Sequence, residues 1–327
     1  MIGQVSLLVM LVRLVDRLPP LPPPPKRGRG RPKVYPDHLF LKALVIMIVR
    51  HLCTVHELLA VLEQPPPELH LLRAALLEQG KFPARRTWQR RLQALPATLP
   101  AQIGCLGRYL VALIQPWADC GRAAAIDSTV LRARGGVGHK QDRAAGVVPH
   151  SAIDTEAHWT KSGWHGWVYG WKLHIVATVA KVWIPLAAEL TPANVAESEI
   201  APSLLARIPA EVRFVLGDQH YNTLELHEQC ALDERCLVTT QSGRYAHTDD
   251  GVEVRRIFHK LRSITIETFN EQFKGIFDGH GQVPTKGLTN TRRFALGAMF
   301  VYQLTVWYRH EHAMDLRVGL KPFLKAA

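Results

Sequence analysis

The spacing of apolar residues changes once along this chain, near residue 120, and that change limits the folds open to it. Upstream the pattern is helical. HLFLKALVIMIVRHL (38–52) follows Pro36 and Asp37, a pair that suits a helix start. Thr54 and Glu57 have capping-box spacing ahead of VHELLAVLE. Three prolines (65–67) break the chain, and ELHLLRAALLEQ then runs to Gly80, expected just past a helix end. KFPARRTWQRRLQAL predicts a further short helix from about Ala84, carrying Arg85, Arg86, Arg90 and Arg91.

Downstream, short β-type runs take over: AAAI, WVYGWKLHIVATVA, VWIPLAAELT, VRFVLG and CLVTTQ. ESEIAPSLLARI (197–208) and NTLELHEQCAL (222–232) between them read as helices. The expected fold class is therefore α/β, a mixed sheet flanked by helices and preceded by an all-helical region. No fixed-period repeat is present. Four segments are expected. Residues 1–34 form an N-terminal helix, spacer and basic ribbon, and 35–118 a helical DNA-binding domain. Residues 119–312 form the sheet domain, and 313–327 a tail.

Two apolar segments invite a membrane reading. MIGQVSLLVMLVRLVDRLPP lacks a basic leader and a small-residue cleavage site, and Arg13 and Asp16 interrupt it, so a short amphipathic helix is expected. FALGAMFVYQLTVWY (294–308) is short for a bilayer and flanked by arginines, which favours a buried core helix. The five cysteines are scattered without a CxxC pair, so neither a disulfide framework nor a cysteine zinc site is expected, and a reducing cytoplasm suits them.

A formal net charge of +12 favours a polyanionic partner, nucleic acid before membrane. The charge is concentrated in places. After the stiff spacer PPLPPPP comes KRGRGRPK (26–33), whose Arg27, Arg29 and Arg31 could track phosphates or lie in a minor groove, as in an AT-hook. The helix with Arg85, Arg86 and Arg90 suits a helix-turn-helix-like module.

The acids carry the chemistry. AAAIDSTVL and VRFVLGDQHYNT share one arrangement, an apolar strand running into an aspartate, Asp127 and Asp218. In one sheet both carboxylates could emerge at neighbouring strand ends, where α/β folds place their sites. KLRSITIETFNEQFKGIF supplies a third acid, Glu267, on a helix whose Ile266, Phe269 and Phe273 form a packed face. Three carboxylates without cysteine or histidine are hard oxygen donors suited to Mg²⁺ or Mn²⁺, and two such ions can drive phosphodiester displacement. Glu271, one turn on, is the main rival to Glu267. Asp233 and Glu234 read as solvated, and Asp249–Gly251 as a hairpin tip. His158, His165 and His174 lack zinc spacing. The nearby tryptophans Trp159, Trp164, Trp167 and Trp171 suit either base stacking or core packing.

The blocks AIDST, DTEAHWTKSGWHGWVYGWKLHIV, TPANVAES, LGDQHYN and RSITIETFNEQFK, in that order, resemble a DDE transposase of bacterial insertion sequences. The resemblance is to the insertion-sequence-four type and covers roughly residues 120–310. It implies a ribonuclease H-like catalytic domain in which Asp127, Asp218 and Glu267 are the metal-binding catalytic acids. It also implies Mg²⁺ or Mn²⁺, two ions, as cofactor, and cleavage of element ends followed by strand transfer into target DNA. The partner it implies is double-stranded DNA, bound by a homodimer. Asp154 falls in a loop and is expected to position substrate. A tyrosine–arginine–glutamate–lysine signature surrounds the last acid in this family, and Lys274 stands seven positions after Glu267 as that signature requires. The position four before Glu267 is Ser263, with Arg262 one place earlier, and the tyrosine position is Lys260. Two alternatives stay open: a transposase-derived DNA-binding protein without catalysis, and a related metal-dependent nuclease.

Overall fold

The computed structural model describes residues 6–21, 34–64, 66–114, 122–163, 166–179, 182–239, 249–277, 279–316 and 324. Helices dominate its first part: α1 (Leu7–Leu14), α2 (Asp37–Val49), α3 (Val55–Leu62), α4 (Pro67–Ala74), α5 (Arg85–Ala94) and α6 (Leu99–Ile114). Two of the starts carry a side-chain cap. Ser6 Oγ accepts from Val9 N at α1, and Thr54 with Glu57 closes the expected capping box at α3. On α1, Leu8, Val9, Leu11, Val12 and Leu14 are buried while Arg13 faces out, the amphipathic pattern expected. Gly80 does not end a helix. α4 stops at Ala74, and Gln79 and Gly80, both at positive φ, form a tight turn between Glu78 and Lys81, which exchange two backbone hydrogen bonds.

The second part is built on six strands: β1 (Ala123–Arg132), β2 (His158–Ser162), β3 (Gly166–Thr178), β4 (Pro185–Pro192), β5 (Phe214–Gly217) and β6 (Cys236–Thr239). Around them stand α7 (Lys140–Ala144), α8 (Glu197–Leu205), α9 (Leu224–Leu232), α10 (Asp249–Arg262), α11 (Thr268–Ile276) and α12 (Leu288–Glu311). The strand order is β2-β3-β1-β5-β6, with β4 also on β3. β1, β2 and β4 pair with β3 antiparallel, whereas β1–β5 and β5–β6 are parallel. This mixed sheet with helices around it, behind a helical N-terminal region, is the expected ribonuclease H-like arrangement.

The sheet differs from its sequence reading in two places. β1 continues beyond AAAI because its polar residues pair with β3 from Ala124↔Thr178 to Arg132↔Gly170. β2 is an additional half-buried edge strand whose mixed HWTKS sequence has little apolar alternation. Asp249 and Asp250 open α10 instead of a hairpin tip, and acids at a helix N-terminus favour that outcome.

α12 joins the two parts. It packs against α1, α2, α5 and α6 on the helical side and against β4 of the sheet, and one continuous apolar core includes them all. Buried Gln303 donates from Nε2 to Ile103 O of α6 and Pro185 O of β4, at 2.9 and 2.8 Å. α6 lies so close to β4 that a Cβ on Gly107 would stand 2.3 Å from Pro185 O. No single described helix is long and apolar enough to cross a membrane.

Candidate active site

β1 and β5 run parallel, paired at Ala123↔Phe214, Ala124↔Val215 and Ala125↔Leu216. β5 then stops at Gly217, while β1 goes on beside β3 alone. Asp127 and Asp218 follow directly at this parting. Asp218 caps a short 3₁₀ turn, its Oδ1 accepting from His220 N at 2.8 Å. Glu267 arrives from the other side, at the end of a five-residue π-helical turn, Ser263–Glu267, between α10 and α11. All three acids line one open cleft of ≈ 820 Å³, together with Arg262 and Lys274.

Arg262 ends α10 and lies between two of the acids. Its guanidinium stands 3.4 Å from Asp127 Oδ1 and 3.8 Å from Glu267 Oε1, ion-pair distances longer than good hydrogen bonds. Asn270 Nδ2 donates to Asp127 Oδ2 at 3.1 Å and orients that carboxylate. The Asp127 carboxyl is pushed up to about 7, foremost by burial; Arg262 opposes the shift, and Asp218 and Glu267 add to it. Below the pair, the enclosed Tyr221 phenol is held neutral by burial and by Asp127 and Asp218. Burial, with the two neighbouring acids, outweighs Arg262 at Asp127, so its ionised form calls for a further cation.

That demand is the test of whether a divalent cation suits the site. Among the described residues, no three His, Cys, Asp or Glu side chains form a preassembled metal cage. The donor set nonetheless fits Mg²⁺ or Mn²⁺: oxygen-only, anionic, mutually repelling and open to solvent on one side. Asp127, Asp218 and Glu267 would hold the ions.

The rival acids sort by their contacts. Glu271 also lines the cleft, but it is exposed and stands 3.9 Å from both Lys274 Nζ and His280 Nε2, and it is Glu267 whose charge reaches Asp127. Asp154 is buried and structural: its Oδ2 accepts from Gly287 N at 2.8 Å, fastening the 154–157 turn to the start of α12. This replaces the expected role in holding substrate. Asp233 and Glu234 pair with Arg235 and Arg213.

Several cleft residues escaped the sequence reading. Glu197 is a further carboxylate in the wall, half-enclosed, its Oε1 2.9 Å from both Lys172 Nζ and Ser128 Oγ. A lysine inside the apolar run WKLHIV was a signal that a buried acid waits nearby. Thr160, Lys161, Ser162 and Gly163 from β2 and its turn form another wall, with Lys161 exposed. Asn270, one helical turn past Glu267, had no distinguishing sequence mark.

The other basic residues lie elsewhere. Arg85, Arg86 and Arg90 are exposed on α5, whereas Arg91 is tied to Asp37 and lies over the Phe40 ring. Arg27, Arg29 and Arg31 lie outside the described residues, as do Trp164 and His165. Trp171 is core, Trp159 is half-buried and donates to Gly138 O, and Trp167 is 67% exposed. His174 is buried, its Nε2 2.9 Å from Thr191 Oγ1.

No curated protein and no solved structure matches the chain. The family described as "Transposase DDE domain" matches residues 119–304, from just before β1 to within α12, and so spans every element that contributes to the cleft. With 186 of 327 residues (304 − 119 + 1) inside that match, the chain belongs to the DDE transposases.

Proposed function

We propose that this one cleft carries out both steps of transposition, with Asp127, Asp218 and Glu267 as its catalytic acids. DNA would be cut by water at the ends of an insertion sequence of the insertion-sequence-four type. The freed 3′-hydroxyl would then attack a phosphodiester of target DNA. Two Mg²⁺ or Mn²⁺ ions held by the three acids would activate the attacking oxygen and stabilise the leaving one.

The protein's own groups do the rest. Asn270 and the His220 amide fix the carboxylates of Asp127 and Asp218, so little reorganisation is left for the reaction itself. Arg262, Lys274 and Lys161 bring cations to the cleft for the scissile strand's phosphates. Burial lowers the pKa of Lys274, against the opposing pull of Glu271 and Asp127. Arg85, Arg86 and Arg90, with Arg27, Arg29 and Arg31, would grip flanking duplex DNA, and a homodimer would bring two ends together.

One observation carries this reading. Acids 91 (218 − 127) and 49 (267 − 218) positions apart in the chain share a cleft with two buried cations, Arg262 and Lys274. The test is a strand-transfer assay with Asp127→Asn, Asp218→Asn and Glu267→Gln, scored separately for cut and joined products. Loss of both products in each variant is expected. Full activity in all three would end the proposal, and cutting without any joining in the unaltered protein would favour the nuclease.

A further inference from the structure

The π-helical turn Ser263–Glu267 has a consequence for the site. In an α-helix, residues about four apart share a face, whereas a π turn takes five. Arg262 and Glu267 are five apart, yet they stand 3.8 Å from each other. Beyond the turn, Asn270 and Lys274 follow Glu267 at three and seven positions, ordinary α spacing, and line the same cleft. Ile266 is wholly buried with Phe269. An uninterrupted α-helix from Arg262 would set Ile266 nearest the guanidinium's face, about 40° round the axis, and turn Glu267 about 140° away from it. The extra residue in the turn is what puts the carboxylate in the cleft and the isoleucine in the core.

Such a turn is wide, and carbonyls along it lose their usual α-helical donors. Side chains occupy several of them. Thr268 Oγ1 donates to Ser263 O, and Thr265 Oγ1 to Leu261 O. Ile264 O is taken by a group from outside the helix: Trp183, in the connection between β3 and β4, donates its indole Nε1 at 3.1 Å. Trp183 is itself held, its carbonyl accepting from Tyr302 OH of α12 at 3.3 Å. The Ile264 side chain is 52% exposed, so core packing gives this position little reason to keep the additional residue.

We infer that Trp183 is a positioning residue: its indole hydrogen bond stabilises the π turn and thereby sets the rotation that holds Glu267 beside Arg262. This rests on Glu267 being the third catalytic acid. Two changes test it. Trp183→Phe keeps an aromatic ring and removes the donor. Deletion of Ile264 removes the additional residue, so that Arg262 and the glutamate become four apart and face the same way in a continuous α-helix.

Amide hydrogen exchange across 262–270 and Mn²⁺ affinity by calorimetry are the readouts, beside DNA cleavage. Trp183→Phe is expected to speed exchange at 264–268 and to weaken Mn²⁺ binding about tenfold, the scale seen when a ligand's supporting partner is lost. The deletion is expected to bind Mn²⁺ as the parent does and to make Trp183→Phe silent, because no carbonyl then needs the indole. Unchanged exchange and affinity in Trp183→Phe would overturn the inference. So would a folded deletion variant that still depends on Trp183. Should Glu267→Gln leave Mn²⁺ binding intact while Trp183→Phe still speeds exchange, the clamp stands and the assignment of Glu267 as a metal-binding acid fails.

Discussion

Asp127 and Asp218 each stand two residues beyond the same rung, Ala125↔Leu216, of the parallel seam between β1 and β5. Parallel strands run in the same direction, so one short apolar run followed by an acid, used twice, brings two carboxylates to one place. The seam parts there because β5 ends, and the gap becomes the cleft.

Crowded anions that need a cation should make the fold respond to one. Mn²⁺ at a hundredfold excess over its Kd is expected to add about 2.7 kcal/mol of stability. Thermal denaturation with Mn²⁺ and with chelator measures the gain, which should vanish in Asp127→Asn. An equal gain in that variant would place the ion elsewhere.

Lys172 and Glu197 form an enclosed pair, 2.9 Å apart, with side chains only 10% and 17% exposed. Lys172→Met leaves a carboxylate without its partner and is expected to cost roughly 3–5 kcal/mol in urea unfolding. Combining it with Glu197→Gln should recover part of that loss. Strict additivity of the two changes would show that the pair is not coupled.

His174 offers a pH signature. Burial foremost, with Lys172, pushes its imidazole down to about 4 from 6.5, against the opposing pull of Glu197. Because the folded value lies below the unfolded one, the unfolded chain takes up the proton first as pH falls. Stability from this group is whole above about 6.5, is lost between 6.5 and 4, and changes no further below that, roughly 3 kcal/mol in all. Urea midpoints at pH 7 and 4.5 should therefore differ less in His174→Gln than in the parent protein.

How much of this could be read from the sequence follows from what each feature depends on. That Asp127 and Asp218 come to one cleft was legible because a strand-then-acid pattern is local, although β1 runs on past Asp127 where the sequence suggests a strand end. Glu267 was legible on its helix, but its pairing with Arg262 was not, since a spacing of five contradicts α geometry until the π turn is seen. Glu197, Asn270 and the β2 wall depend on which elements meet in space, and no local pattern encodes that. The two-residue turn at Gln79–Gly80 resembles a helix end in sequence because glycine at positive φ serves both. Asp154 looked functional as a lone acid in a loop, yet the Gly287 amide it holds lies 133 positions away.

The close approach of α6 to β4 gives a purely structural test. Gly107→Ala places a methyl group against the Pro185 carbonyl, which is backbone and cannot turn aside. The strain is expected to cost about 1–3 kcal/mol by chemical denaturation. Gly163→Ala, where an added Cβ meets nothing within 4 Å, is the control and should be close to neutral.

The arginines of α5 separate by what they touch, and this allows DNA grip and folding to be measured apart. Arg85, Arg86 and Arg90 face solvent, whereas Arg91 is bound to Asp37 with its guanidinium 4.4 Å from the Phe40 ring centre. Replacing the first three with alanine should leave the melting temperature in place. DNA affinity should fall, and the slope of log affinity against log salt should become shallower by about two to three, one for each lost phosphate contact. Arg91→Ala should do the reverse, costing about 1 kcal/mol of stability through the lost ion pair and ring contact while the salt slope stays put. If the triple variant binds DNA with the parent's slope, α5 is not part of the DNA surface, and its charge is a solvated face.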